Sequence, residues 1–133
     1  MSINRCDSLI LEIGSLIIDN ARYTEDKWIG LALMGNFSFG QERMSGYVYY
    51  EDGDFEARTP KGFDVLDKVG ELREAMKIER NPDGKAWHQC LIHITKPGMK
   101  INVMFEYDDP ERWTSKRISR DMSDYAALLK PPI

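Results

Sequence analysis

Two extended runs, Trp87 to Thr95 and Lys100 to Tyr107, are joined by Lys96-Pro97-Gly98-Met99, and this pair constrains the fold more than any other stretch of the chain. Proline presets the backbone of the first turn residue and glycine accepts the positive φ of the second, so the four residues predict a type II turn. In the second arm Ile101, Val103, Phe105 and Tyr107 alternate with Asn102, Met104, Glu106 and Asp108. A period of two puts the apolar set on one face of a strand, so the hairpin needs a layer to cover that face.

The rest of the chain supplies that layer and more strands. Cys6, Leu9, Ile10, Ile13, Leu16 and Ile17 recur at spacings of three and four, the stripe of an amphipathic helix, with Asn4 as its N-cap. Leu11 and Ile18 lie off that stripe, which predicts cover on more than one side. Lys27 to Phe37 is apolar and too glycine-rich for a helix, and Gly30, Gly35 and Gly40 read as bulge or loop positions. Arg43 to Tyr50 and Phe55 to Arg58 flank Glu51-Asp52-Gly53-Asp54, where Asp-Gly predicts a type I′ hairpin turn.

Thr59-Pro60-Lys61-Gly62 breaks the sheet. Phe63 to Ile78 then reads as a helix with Leu66, Val69, Leu72 and Met76 inward and Lys68, Glu71, Arg73 and Glu74 on the wet side. Asn81-Pro82-Asp83-Gly84 is a turn. Beyond Asp108-Asp109-Pro110 the chain leaves the sheet, and Met122, Tyr125, Ala126 and Leu129 mark a short last helix, capped by Ser119 and ended by Pro131-Pro132. The expected fold is α+β in the order α-β-β-β-α-β-β-α, one domain over residues 1–133. It is a mainly antiparallel sheet of about five strands with helices packed on it in two layers.

Composition narrows the function. The apolar fraction is that of a folded protein, and charges are mixed along the chain rather than blocked. Cys6 and Cys90 are far apart among apolar neighbours, so both read as buried free thiols of a reducing compartment. Residues 1–14 lack the regions of a signal peptide, and no apolar run is long enough for a membrane span, which predicts a soluble cytoplasmic protein. Residues 1–111 carry 13 Lys and Arg against 20 Asp and Glu, while residues 112–133 carry 5 against 2. An acidic body argues against nucleic acid as the partner and for a basic protein.

No catalytic or cofactor motif is present, and the chain reads as a binding protein rather than an enzyme, with no cofactor and no metal. His88 and His93 fall on opposite faces of one strand, while His88 and Cys90 share a face but are too few for a zinc site. Trp28 and Trp87 are assigned to the core. Two acidic clusters stand out as candidate binding surfaces: Glu51, Asp52, Asp54 and Glu56 at the first hairpin tip, and Glu106, Asp108, Asp109 and Glu111 beside Tyr107 and Trp113. Aromatic anchors among charges are a common interface pattern.

The segment Ile101-Asn102-Val103-Met104-Phe105-Glu106-Tyr107-Asp108-Asp109-Pro110-Glu111-Arg112-Trp113, with the closing Leu128-Leu129-Lys130-Pro131, resembles the YezG-like immunity family. The order of elements is similar over most of the chain. The resemblance implies a cytoplasmic protein that binds and neutralises a cognate bacterial polymorphic toxin, with nucleases frequent among such partners and no catalytic residue to carry over. The alternative is a chaperone-like or adaptor domain of a secretion system. Oligomeric state is open, since an unpaired sheet edge accepts either a partner strand or a second copy.

Overall fold

The computed structural model describes residues 5–24, 27–79, 84–114 and 122–132. Three helices, α1 (Arg5–Asp19), α2 (Asp64–Glu79) and α3 (Met122–Leu129), accompany strands β1 (Gly30–Asn36), β2 (Arg43–Tyr49), β3 (Phe55–Ala57), β4 (Gln89–Thr95) and β5 (Lys100–Glu106). The strands form one antiparallel sheet in the order β3-β2-β1-β4-β5. The α+β class and the order of elements are those the sequence predicts. The caps at Asn4 and Ser119 and the turn at residues 81–83 lie outside the described residues.

One face of the sheet carries the main core. Cys6, Leu9, Ile13 and Ile17 of α1 and Val65, Val69, Leu72, Ala75 and Met76 of α2 pack on Leu31, Leu33, Val48, Cys90, Ile92 and Ile94. Trp28 and Trp87 are buried in this core, as expected. Arg73 is not on the wet side of α2: its Nε donates to the Trp87 carbonyl at 2.7 Å, and its guanidinium lies over the Phe37 and Trp87 rings. A guanidinium is weakly hydrated and planar, so it can close the end of an aromatic cluster where an ammonium would not. Leu66, expected inward, is half-buried. Of the two off-stripe residues of α1, Ile18 is half-buried and Leu11 is 54% exposed.

The opposite face is also covered, which corrects the expectation of two layers. Ala32, Met34, Tyr47, Tyr49 and Leu91 meet Trp113, Ala126 and Leu129 in a second buried cluster. The Tyr49 hydroxyl donates to the Ala126 carbonyl at 2.5 Å, and the His93 ring Nε2 lies 2.7 Å from the Leu129 carbonyl. Trp113 and α3 therefore cover this face of the sheet, and two polar contacts inside an apolar layer pin α3 there.

His93 makes this second layer sensitive to pH. Burial depresses its pKa below the usual histidine value, against a smaller opposite effect of the Leu129 carbonyl. The unfolded chain takes up this proton near pH 6.5 while the folded protein resists it, so the contribution is complete above that pH and is lost as pH falls through the depressed value. The melting temperature should fall as pH drops below about 6.5, and His93→Gln should flatten that part of the profile. An unchanged slope in the variant would count against a buried neutral His93.

Local geometry departs from the sequence reading at two turns and one strand. Gly53 has φ 89 and its N–H donates to the Tyr50 carbonyl, while Tyr50 N–H donates to Asp54. Asp52 has no positive φ, so the tip is a three-residue loop rather than a type I′ turn. At the second hairpin the Lys96-Pro97 peptide is cis, and positive φ occurs at Gly98 and Met99. Gly35 is not a bulge: it sits in unbroken register between Met44 and Cys90, with the Cys90 Sγ 3.1 Å from where a Cβ would stand.

Candidate functional site

The two acidic clusters occupy opposite corners of the sheet. β3 and β5 are its two edges, and Tyr49, Gly30, Thr95 and Lys100 mark one end while Arg43, Asn36, Gln89 and Glu106 mark the other. The hairpin tip extends from the first end at the β3 edge, and the loop after Glu106 extends from the second end at the β5 edge. Four strand spacings by six residues of rise separate them by roughly 30 Å. They are two patches, not one face.

At the tip, much of the acidity serves the loop itself. Asp52 Oδ1 accepts the Asp54 N–H at 2.9 Å, Asp54 Oδ1 accepts the Phe55 N–H at 3.1 Å, and Glu56 accepts from Arg58 at 3.0 Å and from the Tyr50 hydroxyl at 3.1 Å. Glu51, Asp52, Asp54 and Glu56 are nonetheless all exposed.

The second cluster divides differently. Glu106 is an internal clamp: Oε2 accepts the N–H groups of Asp108 and Asp109 at 2.9 and 3.0 Å, and Oε1 accepts from Arg112 at 2.9 Å. Those bonds, led by the Asp109 and Asp108 amides and then Arg112, hold its carboxyl down at about 2. Its stabilising effect is thus present above the ordinary carboxylate range and lost as pH falls from there toward 2, a window below that of His93. Asp109 Oδ1 accepts the Glu111 N–H at 2.9 Å, and Asp108, which is highly exposed, pairs with Lys85 at 3.0 Å.

Trp113 does not stand on the surface as an anchor. It is 5% exposed, its N–H donates to Gln89 Oε1 at 2.8 Å, and Gln89, fully buried, donates in turn to Thr114 Oγ1 at 2.7 Å. The chain turns inward here because a buried glutamine in β4 satisfies the backbone of the exit loop. Trp113 supports the acidic corner from beneath, with Arg112 stacked over its ring at 4.8 Å.

A third site lies on what the sequence reads as an ordinary wet helix face. A groove of about 550 Å³ runs along α2, with a floor that includes Phe37, Leu66 and Ala75. Glu42, Asp67, Glu71, Glu74 and Glu79 surround it against Arg5 and Arg73, and Arg73 is committed to Trp87. Lys68 pairs with Glu71 at 2.8 Å, which draws that carboxyl below its usual range, and with Glu12 at 3.5 Å. Ile78 in the groove is 79% exposed. Phe63, in the adjoining hollow that shares Glu42 and Leu66, is 72% exposed.

Phe39, three residues before Glu42, is 77% exposed and holds φ 56. A bulky residue in the left-handed region is strained, and such strain is found most often at functional loops. Glycine would be the easier residue at this position on backbone grounds. No periodicity flags this feature in the sequence, because Phe39 and Phe63 belong to no stripe.

Among the described residues no group of three His, Cys, Asp or Glu side chains could hold a metal ion, and none of the helices is long and apolar enough to cross a membrane. Cys6 and Cys90 are both fully buried, and burial pushes the Cys90 thiol up to about 12. Cys6 Sγ donates to Glu79 at 3.1 Å. Comparison with protein-family models and with curated proteins finds no match to this chain.

Proposed function

We propose that this chain is an immunity protein that captures a cognate bacterial toxin with a basic functional surface, of the kind nucleases carry. The α2 groove supports this reading more than any other feature: an apolar floor and an acidic rim, with Ile78 and Phe63 standing exposed in it and beside it. Exposed bulky apolar groups need a reason on a monomer surface, and carboxylates around them exclude most partners except a basic one. Long-range attraction hastens encounter, and the desolvated apolar centre slows release.

The hairpin tip and the Asp108 and Glu111 corner extend the negative field on either side and are secondary contacts in this reading. Co-expression with any toxin domain encoded beside this gene tests it. Growth should be rescued and the two proteins should co-purify. Failure of both, or a stable complex with a secretion substrate instead, would replace immunity with the adaptor reading.

A further inference from the structure

The outer edge of β5 has a pattern that fits itself. Phe37 N–H donates to the His88 carbonyl and Lys96 N–H to the Ile29 carbonyl, so the even-numbered residues of β4 bond to β1. The odd ones, Gln89, Leu91, His93 and Thr95, therefore bond to β5 at Glu106, Met104, Asn102 and Lys100. That leaves the backbone N–H and C=O groups of Ile101, Val103 and Phe105 directed away from the sheet. Among the described residues none of these groups has a backbone partner beyond β5.

Long edges are normally blunted by proline, a bulge or inward charge, and β5 carries none of these within its seven residues. Its charges sit at its two ends, Lys100 and Glu106, with opposite sign.

We propose that two copies of this chain pair antiparallel through β5, with a two-fold axis at Val103, into one continuous sheet. In this register Ile101 of one copy exchanges hydrogen bonds with Phe105 of the other, and Val103 with Val103, which uses every outward backbone group. Each Lys100 lies opposite the other copy's Glu106. There it meets a corner whose negative charge, from Glu106, Asp108, Asp109 and Glu111, exceeds what Arg112 and Lys85 offset.

Ile101, Val103 and Phe105 all pack toward the α1 and α2 layer, so the opposed Ile101 and Phe105 make an apolar cross-strand pair on the same face in both copies. Moving the axis to Asn102 or Met104 keeps the hydrogen-bond parity but separates the charged ends. The Val103 register alone pairs all seven residues. A self-complementary patch of this kind is what a two-fold contact requires, which favours a second copy over an unrelated strand.

Sedimentation equilibrium of the purified full chain should give a dimer, and Lys100→Glu, an exposed change, should weaken it by at least tenfold. Val103→Pro removes an N–H that the isolated copy does not use and should give a monomer with an unchanged circular dichroism spectrum. If Val103→Pro fails to fold, Lys100→Glu decides. The register itself is read by mixing Asn102→Cys with Met104→Cys under oxidation. These two positions face each other as a non-hydrogen-bonded pair about 4.5 Å apart at Cα, within disulfide reach. A mixed disulfide dimer is expected. A monomer at all concentrations, a dimer indifferent to Lys100→Glu, or no mixed cross-link would each overturn the proposal.

Discussion

Replacing Trp113 with alanine should destabilise the protein by about 3–5 kcal/mol, the usual cost of removing a buried indole. The indole belongs to the cluster of Ala32, Met34, Leu91, Ala126 and Leu129, and its loss opens a cavity between the sheet and the chain that returns beneath it. The damage spreads, because the Gln89 side chain that accepts the Trp113 N–H and donates to Thr114 is fully buried and depends on that segment staying in place. An interface anchor would behave in the opposite way, weakening partner binding with little change in stability. Chemical denaturation of the isolated protein separates the two. A loss below about 1 kcal/mol would mean that Trp113 is not core.

Gly46→Ala is expected to cost about 3 kcal/mol or more, at the upper end of overpacking effects. Gly46 pairs with Leu33 in β2, and a Cβ there would stand 2.1 Å from the Ala32 carbonyl oxygen and 3.1 Å from its carbon. Backbone cannot yield as a side chain can, so β2 would have to move away from β1. The Gly46 carbonyl also accepts the Arg58 N–H at 2.9 Å, where the chain leaves β3. The substitution should therefore loosen the β2–β3 hairpin as well as lower the melting temperature. Retention of wild-type stability would show that β2 is not held this closely.

The class of the fold was legible because its local signals agree. The α1 stripe, the period of two in β5 and the Pro-Gly and Asp-Gly turns each point to one element, and the structure has those elements in that order. The third layer was also encoded, but in a less obvious way. Leu31-Ala32-Leu33-Met34 and Cys90-Leu91-Ile92 are continuous apolar runs without alternation, which is how strands covered on both faces read. Tyr47, Tyr49 and His93 then needed a cover, and the last helix supplies it.

The site was less legible. Sequence clusters of acid drew attention to residues 51–56 and 106–111, where Glu106 proves to be the internal clamp of its loop. Proximity in sequence cannot distinguish a carboxylate that holds backbone from one that faces a partner. The α2 groove sets the carboxylates of one helix, Asp67, Glu71, Glu74 and Glu79, beside Glu42 and Phe37 from the segment between β1 and β2, and only folding brings those two segments together. Phe39 gave no pattern either, since its exposure follows from a left-handed turn residue rather than from any period.

The central claim is that the acidic rim of the α2 groove, rather than either loop cluster, holds the toxin. Calorimetric titration of the toxin domain into Asp67→Lys with Glu74→Lys tests it, beside Asp52→Lys with Asp54→Lys and Asp108→Lys with Asp109→Lys as comparisons. The groove variant should bind roughly 100-fold more weakly, about 2.7 kcal/mol, with its melting temperature unchanged. The two loop variants should lose no more than about tenfold. Wild-type affinity in the groove variant, with the loss confined to a loop pair, would contradict the claim.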